Sequence, residues 1–397
     1  GGCGFIGSNF ILNNAKSLTN KILNLDKLTY AGNITNLISI KDSQNYHFIE
    51  GDICDKDIIT KIFHDFQPDA VVHFAAESHV DRSIDEPSSF IQTNIVGTTV
   101  LLESALQYWQ KSQNSVFKFL HVSTDEVYGS LNDHDNSFTE DKPYKPNSPY
   151  SASKAGSDHL VRAWYQTYGL PTLITNCSNN YGPYQFPEKL IPLIIANCID
   201  EKNLPLYGDG LNIRDWLYVD DHCNAINRVL NDGQIGQTYN IGGNNEMKNI
   251  DIVTMICEKL DEIKPRFNGK SYKKLITFVE DRPGHDFRYA IDISKIKKDL
   301  SWQPKHSFKK GIEKTIVWYL DNEDWWRKIQ NSNYMATEEK KVSYTTTNSY
   351  STRNNLTSAT KNVWFCCHGL GFLSRYFIQY FNGLDADENY IIAPQAP

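Results

Sequence analysis

Two side chains near the middle of the chain have the types and spacing of an acid–base pair. Tyr150 and Lys154 lie four residues apart, just after Ser148-Pro149. Ser148 is a good helix N-cap and Pro149 a good first helical residue, so a helix is predicted to begin there. Such a helix puts Tyr150 and Lys154 on one face, where a lysine cation lowers the pKa of a phenol and makes it a candidate general base. An ordinary amphipathic helix start has the same pattern, so the pair needs support from other residues.

A pair of adjacent acids is the second candidate. Asp125 and Glu126 follow Thr124 at the end of the apolar strand-like run 117–123. Like charges so close push their pKa values apart, so that one carboxyl group stays protonated while the other is ionised. Such a pair suits elimination of water, in which one group protonates a leaving hydroxyl and the other removes a proton. A solvated loop pair is the alternative interpretation, and the position at the carboxyl end of a strand favours chemistry.

The chain opens on a glycine motif, Gly1-Gly2-Cys3-Gly4-Phe5-Ile6-Gly7. Glycines before a helix let the backbone approach a pyrophosphate, which binds at the helix N-terminus. Asp26 follows at the end of the strand-like run 22–25, where a carboxylate accepts both ribose hydroxyls of NAD and repels a 2′-phosphate. The motif therefore predicts an NAD site rather than an NADP site. The strand expected before the glycines is not in the sequence, and we expect the sequence to be truncated there.

The elements that must position these residues alternate along the chain. Apolar strand-like runs occur at 22–25, 69–74, 117–123 and 172–175, and the segment 94–109 has apolar residues at helical spacing. Repeated alternation of strands and helices predicts a parallel sheet covered on both faces. The predicted fold class is thus α/β, with a Rossmann-like doubly wound sheet that lacks its first strand.

Composition and charge exclude several classes of protein. The 397 residues carry 40 basic and 47 acidic side chains, and a net charge of −7 argues against a general nucleic-acid binder. No apolar stretch reaches the roughly 20 residues of a membrane span, and the opening residues are not the charged leader of a signal peptide. The eight cysteines are scattered without metal-ligand spacing, so we expect free thiols, no metal site and a cytoplasmic protein.

Long runs of the sequence resemble the dTDP-glucose 4,6-dehydratases, a branch of the extended short-chain dehydrogenase/reductase family. The resemblance extends over about residues 1–320. It is carried by the runs 75–83 (AAESHVDRS), 123–129 (STDEVYG), 179–190 (NNYGPYQFPEKL), 214–219 (RDWLYV), 239–243 (YNIGG) and 281–286 (DRPGHD). The resemblance implies an NAD-dependent hydro-lyase that converts dTDP-glucose to dTDP-4-keto-6-deoxyglucose, in deoxysugar (rhamnose-type) nucleotide biosynthesis. It also implies a homodimer, with no nucleic-acid or membrane partner.

The resemblance implies a role for each catalytic candidate. Thr124 holds the sugar 4-hydroxyl, and Tyr150 takes its proton while hydride leaves C4 for NAD. Glu126 then removes the C5 proton, and Asp125 protonates the departing 6-hydroxyl before hydride returns to C6. Lys154 also contacts the nicotinamide ribose.

The same resemblance implies two sets of binding residues. The NAD set is Gly1, Gly4, Phe5, Ile6, Gly7, Asp26, Lys27, Leu28, Thr29, Asp52, Ile53, Phe74, Ala75, Ala76, Glu77, Ser78, Thr93, Tyr150, Lys154 and Asn180. The sugar-nucleotide set is Ser78, Thr124, Asn179, Lys189, Leu190, Pro205, Leu206, Tyr207, Arg214, Asn249, Asp281, Arg282, Pro283, Gly284 and His285.

The chain is predicted to divide unequally. An NAD-binding domain is expected over 1–176, rejoined by about 214–243, and a smaller α/β sugar-nucleotide domain over 177–213 and 244–333. The segment 342–361 has thirteen Ser, Thr or Asn residues among twenty, which predicts a linker over 334–361. Residues 362–397 resemble the start of an α/β-hydrolase carboxylesterase, with two strands and a His368-Gly369 pair but no nucleophile elbow. We expect this severed fragment to have no hydrolase activity.

Two alternative functions remain open at this point. One is another sugar-nucleotide enzyme, a 4-epimerase or a dehydratase of a different nucleotide, although the Asp125–Glu126 pair disfavours an epimerase. The other belongs to a different class, an inactive truncated chain that only binds nucleotide or does not fold. Melting with and without NAD would separate a chain that binds nucleotide from one that does not fold.

Overall fold

The computed structural model describes residues 1–17, 19–281, 284–337, 350–353, 360–365 and 389–394. The chain forms two compact units, Gly1–Met335 and Ala336–Pro397. Within the described ranges, every helix is too short or too polar to cross a lipid bilayer.

The secondary structure of the first unit alternates strongly between helices and strands. Its helices are α1 (Phe5–Asn14), α2 (Lys56–Phe66), α3 (Val80–Asp85), α4 (Pro87–Phe90), α5 (Thr98–Ser112), α6 (Pro149–Tyr168), α7 (Leu190–Ile199), α8 (Val219–Asp232), α9 (Asn249–Ile263), α10 (Ser294–Leu300), α11 (Phe308–Asp321) and α12 (Glu323–Thr337). Its strands are β1 (Ile22–Asp26), β2 (Tyr46–Glu50), β3 (Ala70–His73), β4 (Lys118–Thr124), β5 (Thr172–Cys177), β6 (Asn179–Tyr181), β7 (Leu204–Tyr207), β8 (Ile213–Tyr218), β9 (Thr238–Ile241), β10 (Glu246–Lys248) and β11 (Ile276–Val279). Short 3₁₀ helices span Ile34–Ile40, Asp125–Tyr128 and Tyr272–Leu275, and a π-helix spans Ile91–Gly97.

The strands of the nucleotide-binding half are parallel, as the alternating sequence pattern predicts. Strands β3, β4, β5 and β9 form a four-stranded sheet in the order β3-β4-β5-β9, and β1 pairs with β2. All four predicted strand runs are therefore strands in the structure. Gly1 lies between the carboxyl ends of β1 and β3, where its amino group donates a hydrogen bond to the Leu25 carbonyl over 2.5 Å.

Side chains that alternate along the strands fill two different cores. On β4, Phe119 packs with α2 and α5, whereas the next residue, Leu120, packs with α8 and α10. On β5, Leu173 packs into the same core as Leu120, and Ile174 packs into the same core as Phe119. Because successive strand residues point to opposite faces, helices cover the sheet on both sides, and the predicted doubly wound α/β fold is confirmed.

The segment predicted as one helix over 94–109 has a more complex start. It begins as the π-helix Ile91–Gly97 and continues as α5. Asn94 lies in the wide turn, where its side chain bonds both backbone groups of Glu77 and donates to Ser153 Oγ over 2.8 Å. These contacts link the widened turn to the loop after β3 and to α6.

The remaining elements of the first unit surround a second core. Strands β6, β8 and β10 form one small sheet, and β7 pairs with β11 in another. Helices α7, α9, α11 and α12 pack against them around Ile194, Ile256 and Trp326. Residues 289–302, assigned from the sequence to the sugar-nucleotide domain, contribute instead to the core shared with Leu120. The domain boundaries remain a prediction.

The second unit contains three described strands. Strand β12 (Tyr350–Arg353) lies antiparallel to β14 (Asn389–Pro394), and β13 (Asn362–Phe365) lies parallel to β14. Both strands predicted for the hydrolase-like segment are present. His368 and Gly369 lie outside the described residues, and the likeness to hydrolases stays a prediction.

Candidate active site

A cavity of about 310 Å³ opens at the carboxyl ends of β1, β3, β4 and β5. This is the edge where parallel α/β sheets bind their ligands, because loops and helix N-termini converge there. The start of α1, the loops after β1, β2 and β3, the end of β4, the start of α6 and the β5–β6 junction all line it.

The glycine motif forms a close-packed turn at the floor of the cavity. A Cβ on Gly7 would lie 2.4 Å from the Gly1 carbonyl oxygen, so only glycine allows this contact. Gly4 is the N-cap of α1 and has an extended backbone, and no side chain caps the helix. The first N–H groups of α1 therefore lie at the cavity, and no described side chain accepts a hydrogen bond from them at the N-cap. A pyrophosphate bound there could accept these hydrogen bonds.

Asp26 lies at the end of β1, on the wall of the cavity. Its Oδ2 accepts a hydrogen bond from the Cys3 backbone N–H over 2.8 Å, and its Oδ1 accepts one from Leu28 N–H over 2.8 Å. These contacts fix the carboxylate beside the glycine turn. Together with the close-packed glycines, this geometry fits the dinucleotide NAD.

The carboxyl end of β4 carries the acidic pair. The Thr124 hydroxyl accepts a hydrogen bond from the Glu126 N–H over 3.3 Å and lies 3.4 Å from Asp125 Oδ1. Asp125 is 1% exposed, and its Oδ2 has no hydrogen-bond partner among the residues that the structure describes. Burial, reinforced by the negative charge of Glu126, raises the pKa of Asp125 well above its usual value. This direction agrees with the expectation that one carboxyl group of the pair keeps its proton.

Helix α6 begins as predicted and carries Tyr150 and Lys154 into the cavity. Ser148 and Ser151 form a capping box at its start, and Pro149 is the first helical residue. The Lys154 ammonium donates to the Val122 carbonyl over 2.9 Å, and burial lowers its pKa to about 8.

The expected effect of Lys154 on Tyr150 is not what the structure shows. Burial, followed by the negative charge of Glu126, raises the pKa of Tyr150 well above its usual value, and a hydrogen bond with Thr124 opposes this only in part. The sequence argument predicted a lowered pKa because it considered the lysine charge alone. The loss of water around the phenol is the larger effect.

Most of the predicted site residues come together around the cavity. All five catalytic candidates line it, as does every predicted NAD residue except Leu28. Of the sugar-nucleotide set, Ser78, Thr124, Asn179 and Lys189 also line it. Those that do not line it are Leu190, Pro205, Leu206, Tyr207, Arg214, Asn249, Asp281, Gly284 and His285. Arg282 and Pro283 lie outside the described residues.

Several of the predicted sugar-nucleotide residues that do not line the cavity lie near β7 and β8. His285 Nδ1 lies 2.6 Å from Asp281 Oδ1, and the His285 ring is 6.1 Å from that of Tyr207. The Arg214 guanidinium donates to three backbone carbonyls, one of them Asp286 at 2.8 Å. Its positive charge also acts on Asp125, so Arg214 links this group to the acidic pair.

Sequence reasoning missed a cluster on the cavity wall. Tyr30 and Glu188 line the cavity, and the Arg82 guanidinium lies 3.6 Å from the centre of the Tyr30 ring. Glu188 Oε2 lies 3.9 Å from Arg82 Nε. Tyr30 directly follows the predicted residue Thr29, and Arg82 and Glu188 lie in the runs 75–83 and 179–190 that carry the resemblance. These two signals could have found the cluster.

The Rossmann-like sheet and the tyrosine–lysine helix define a nucleotide-binding enzyme of the short-chain dehydrogenase/reductase type. The profile of the GDP-mannose 4,6 dehydratase family matches residues 1–315. The chain therefore belongs to this family.

Relatives make the comparison more specific. A dTDP-glucose 4,6-dehydratase of Neisseria meningitidis is 56% identical over 339 residues, which are 84% of this chain and 96% of that protein. The crystal structure of dTDP-glucose 4,6-dehydratase from Bacillus anthracis in complex with NAD is 48% identical, with a TM-score of 0.74, over 83% of this chain and 97% of that one. That of DesIV, a dTDP-glucose 4,6-dehydratase from Streptomyces venezuelae with NAD and TYD bound, is 44% identical, with a TM-score of 0.75, over 83% and 98%. The resemblance to the dTDP-glucose 4,6-dehydratases is confirmed.

Proposed function

We propose that this chain dehydrates dTDP-glucose to dTDP-4-keto-6-deoxyglucose with NAD as its cofactor. The observation that carries the proposal is the buried Asp125 carboxyl next to Glu126, in the same cavity as Tyr150 and Lys154. Oxidation alone needs the tyrosine and lysine, whereas elimination of water needs an additional acid and base. The names of the most similar relatives support the same reaction.

The first half of the reaction uses Tyr150, Lys154 and Thr124. When bound, NAD would supply a hydride acceptor for sugar C4 in its oxidised form, whose positive charge would favour the phenolate form of Tyr150, and a hydride donor for C6 in its reduced form. Thr124, within hydrogen-bond reach of Tyr150, orients the 4-hydroxyl. Tyr150 takes the hydroxyl proton, and the Lys154 cation stabilises the resulting negative charge.

The second half of the reaction uses the acidic pair. The new 4-ketone acidifies the C5 proton, which Glu126 removes as general base. Asp125 donates its proton to the departing 6-hydroxyl, which leaves as water and gives a C5–C6 double bond. A proton is then delivered at C5 as the hydride returns to C6, which gives the 4-keto-6-deoxy sugar. Burial holds that proton on Asp125, since the pKa of this carboxyl is raised well above its usual value. The raised pKa supports the assignment of Asp125 as the acid and Glu126 as the base.

The substrate and its context complete the proposal. Tyr207, Arg214, Asp281 and His285 bind the sugar nucleotide, and the planar guanidinium of Arg214 suits an oxygen pair of the diphosphate. We further propose a cytoplasmic homodimer that works in deoxysugar nucleotide biosynthesis of the rhamnose type.

Product analysis tests the proposed function. The chain is incubated with dTDP-glucose and NAD, and the nucleotide sugars are analysed by mass spectrometry. We expect a product lighter by one water, with no net consumption of NAD. A product of unchanged mass that co-elutes with dTDP-galactose would instead indicate a 4-epimerase, and UDP-glucose and GDP-mannose serve as controls for the nucleotide.

A further inference from the structure

A buried polar cluster lies behind the Lys154 ammonium, on the side away from the cavity. Besides its bond to Val122, Lys154 Nζ lies 3.3 Å from His121 Nε2. The same His121 nitrogen lies 3.3 Å from Asp158 Oδ1 and 3.2 Å from the Ser157 hydroxyl. Lys154, His121 and Asp158 are 4%, 1% and 2% exposed, so the cluster is inside the protein.

Asp158 is held in place by groups from outside its own helix. It follows Lys154 by one turn on α6, and its Oδ2 accepts hydrogen bonds from the Tyr144 hydroxyl over 2.9 Å and from Asn176 Nδ2 over 3.1 Å. Burial opposes its ionisation, but His121, Lys154 and Ser123 together keep the pKa of Asp158 below its usual value. The carboxylate is therefore ionised at neutral pH and has a fixed position.

The other titratable groups that face Lys154 are uncharged at neutral pH. Burial lowers the pKa of His121 on β4 to about 4 and that of His73 on β3 well below its usual value. Burial also raises the pKa of Cys177 on β5 and of Tyr150 on α6. Asp158 then supplies the negative charge that offsets the desolvation of the lysine.

We propose that Asp158 is a positioning residue for the reaction, whose carboxylate keeps the Lys154 ammonium charged and in place against β4. The proposal rests on the proposed function for its catalytic meaning, because Lys154 assists Tyr150 only as a cation. His121 is the neutral spacer between the two charges, and Tyr144 and Asn176 fix the carboxylate.

The test is a pH titration of Lys154 in Asp158→Asn. NMR of isotope-labelled lysine follows the ammonium without turnover, and Lys154→Arg assigns its signal. Loss of the Asp158 charge is expected to lower the pKa of Lys154 by about one pH unit. The alkaline limb of kcat/KM should move to lower pH by the same amount, since Lys154 then loses its proton earlier. The KM for dTDP-glucose at pH 6.5 should stay within about twofold.

Two further variants separate charge from structure. Tyr144→Phe removes a hydrogen bond to the same carboxylate but leaves its charge, so it should shift the lysine titration and the alkaline limb by less than half as much as Asp158→Asn does. His121→Gln removes an imidazole that is already neutral, so it should shift the lysine titration by much less than one pH unit. If Asp158→Asn does not fold, a downward shift of about one unit in His121→Gln would overturn the proposal. An unshifted lysine titration in Asp158→Asn, or an equal shift in His121→Gln, would overturn the proposal. A wild-type chain that does not convert dTDP-glucose overturns the proposed function instead.

Discussion

At the residue scale, the raised pKa of Asp125 supports its proposed role as the acid of the reaction. It is 1% exposed and adjacent to Glu126, and both features favour its neutral form. The sequence shows the adjacency of the two acids but not the burial, which depends on how the loop after β4 packs into the fold.

Replacing both acids should separate oxidation from dehydration. In Asp125→Asn/Glu126→Gln, Tyr150 and Lys154 are unchanged, so the sugar is still oxidised and reduced nicotinamide accumulates. Turnover to the dehydrated product should fall by about 10²–10⁴-fold or more, the contribution of positioned acids and bases. Nicotinamide absorbance and product mass are followed together. The control is Asp42→Asn, which changes an exposed acid distant in sequence from the acidic pair. Normal turnover by the double variant would refute the assigned roles.

The raised pKa of Asp125 also predicts a pH-dependent cost in stability. A carboxyl group whose pKa is raised on folding contributes stability below its unfolded pKa, and this contribution is lost as the pH rises through the folded value. Asp125→Asn removes the titrating carboxyl group, so the variant does not lose this contribution to its stability as the pH rises. The melting temperature of the variant should therefore gain on that of the wild type as the pH increases from 5 to 8. A difference in melting temperature that stays constant over this range would contradict the raised pKa.

The tyrosine–lysine pair shows what sequence can and cannot predict at this scale. The spacing of Tyr150 and Lys154 on a helix is local, and the structure has both on the cavity wall. The direction of the Tyr150 pKa was predicted wrongly, because burial and the charge of Glu126 come from segments distant in sequence. The cluster of Tyr30, Arg82 and Glu188 has the same origin, since two loops and helix α3 meet there.

At the scale of elements, strands were easier to predict than the turn that precedes α5. The strand runs are apolar and bounded by polar residues, so their pattern alone identifies them. The π-helix Ile91–Gly97 depends on contacts of Asn94 with Glu77 and Ser153, which no local pattern reveals. Widened turns of this kind often lie at functional sites, and Thr93 of this turn lines the cavity.

The glycine turn gives a prediction at this scale. In Gly7→Ala the new Cβ would lie 2.4 Å from the Gly1 oxygen, so α1 must move away from the turn. We expect a loss of about 1–3 kcal/mol in the free energy of unfolding, measured by urea denaturation without NAD. Gly4→Ala is the matched control, because its nearest contact would be 3.5 Å, and only the poorer N-cap should lower its stability, by less than the clash in Gly7→Ala. Equal stability of the two variants would show that the close approach has no energetic consequence.

At the scale of the whole molecule, the residues that line the cavity all belong to the first compact unit. Removal of residues 338–397 leaves α12 and every lining residue in the chain. We expect the shortened chain to keep kcat and KM for dTDP-glucose within about twofold, because none of the proposed catalytic groups is removed. A loss of turnover in a chain that still melts cooperatively would show that the second unit takes part in the function.

In the proposed reaction, sugar C4 is oxidised, water is eliminated across C5 and C6, and the same hydride returns to C6. The most direct measurement uses dTDP-glucose with deuterium at C4, followed by NMR of the product. We expect deuterium in the C6 methyl group of a 4-keto-6-deoxy sugar. Deuterium retained at C4, as in an epimerase, or lost to solvent would contradict it.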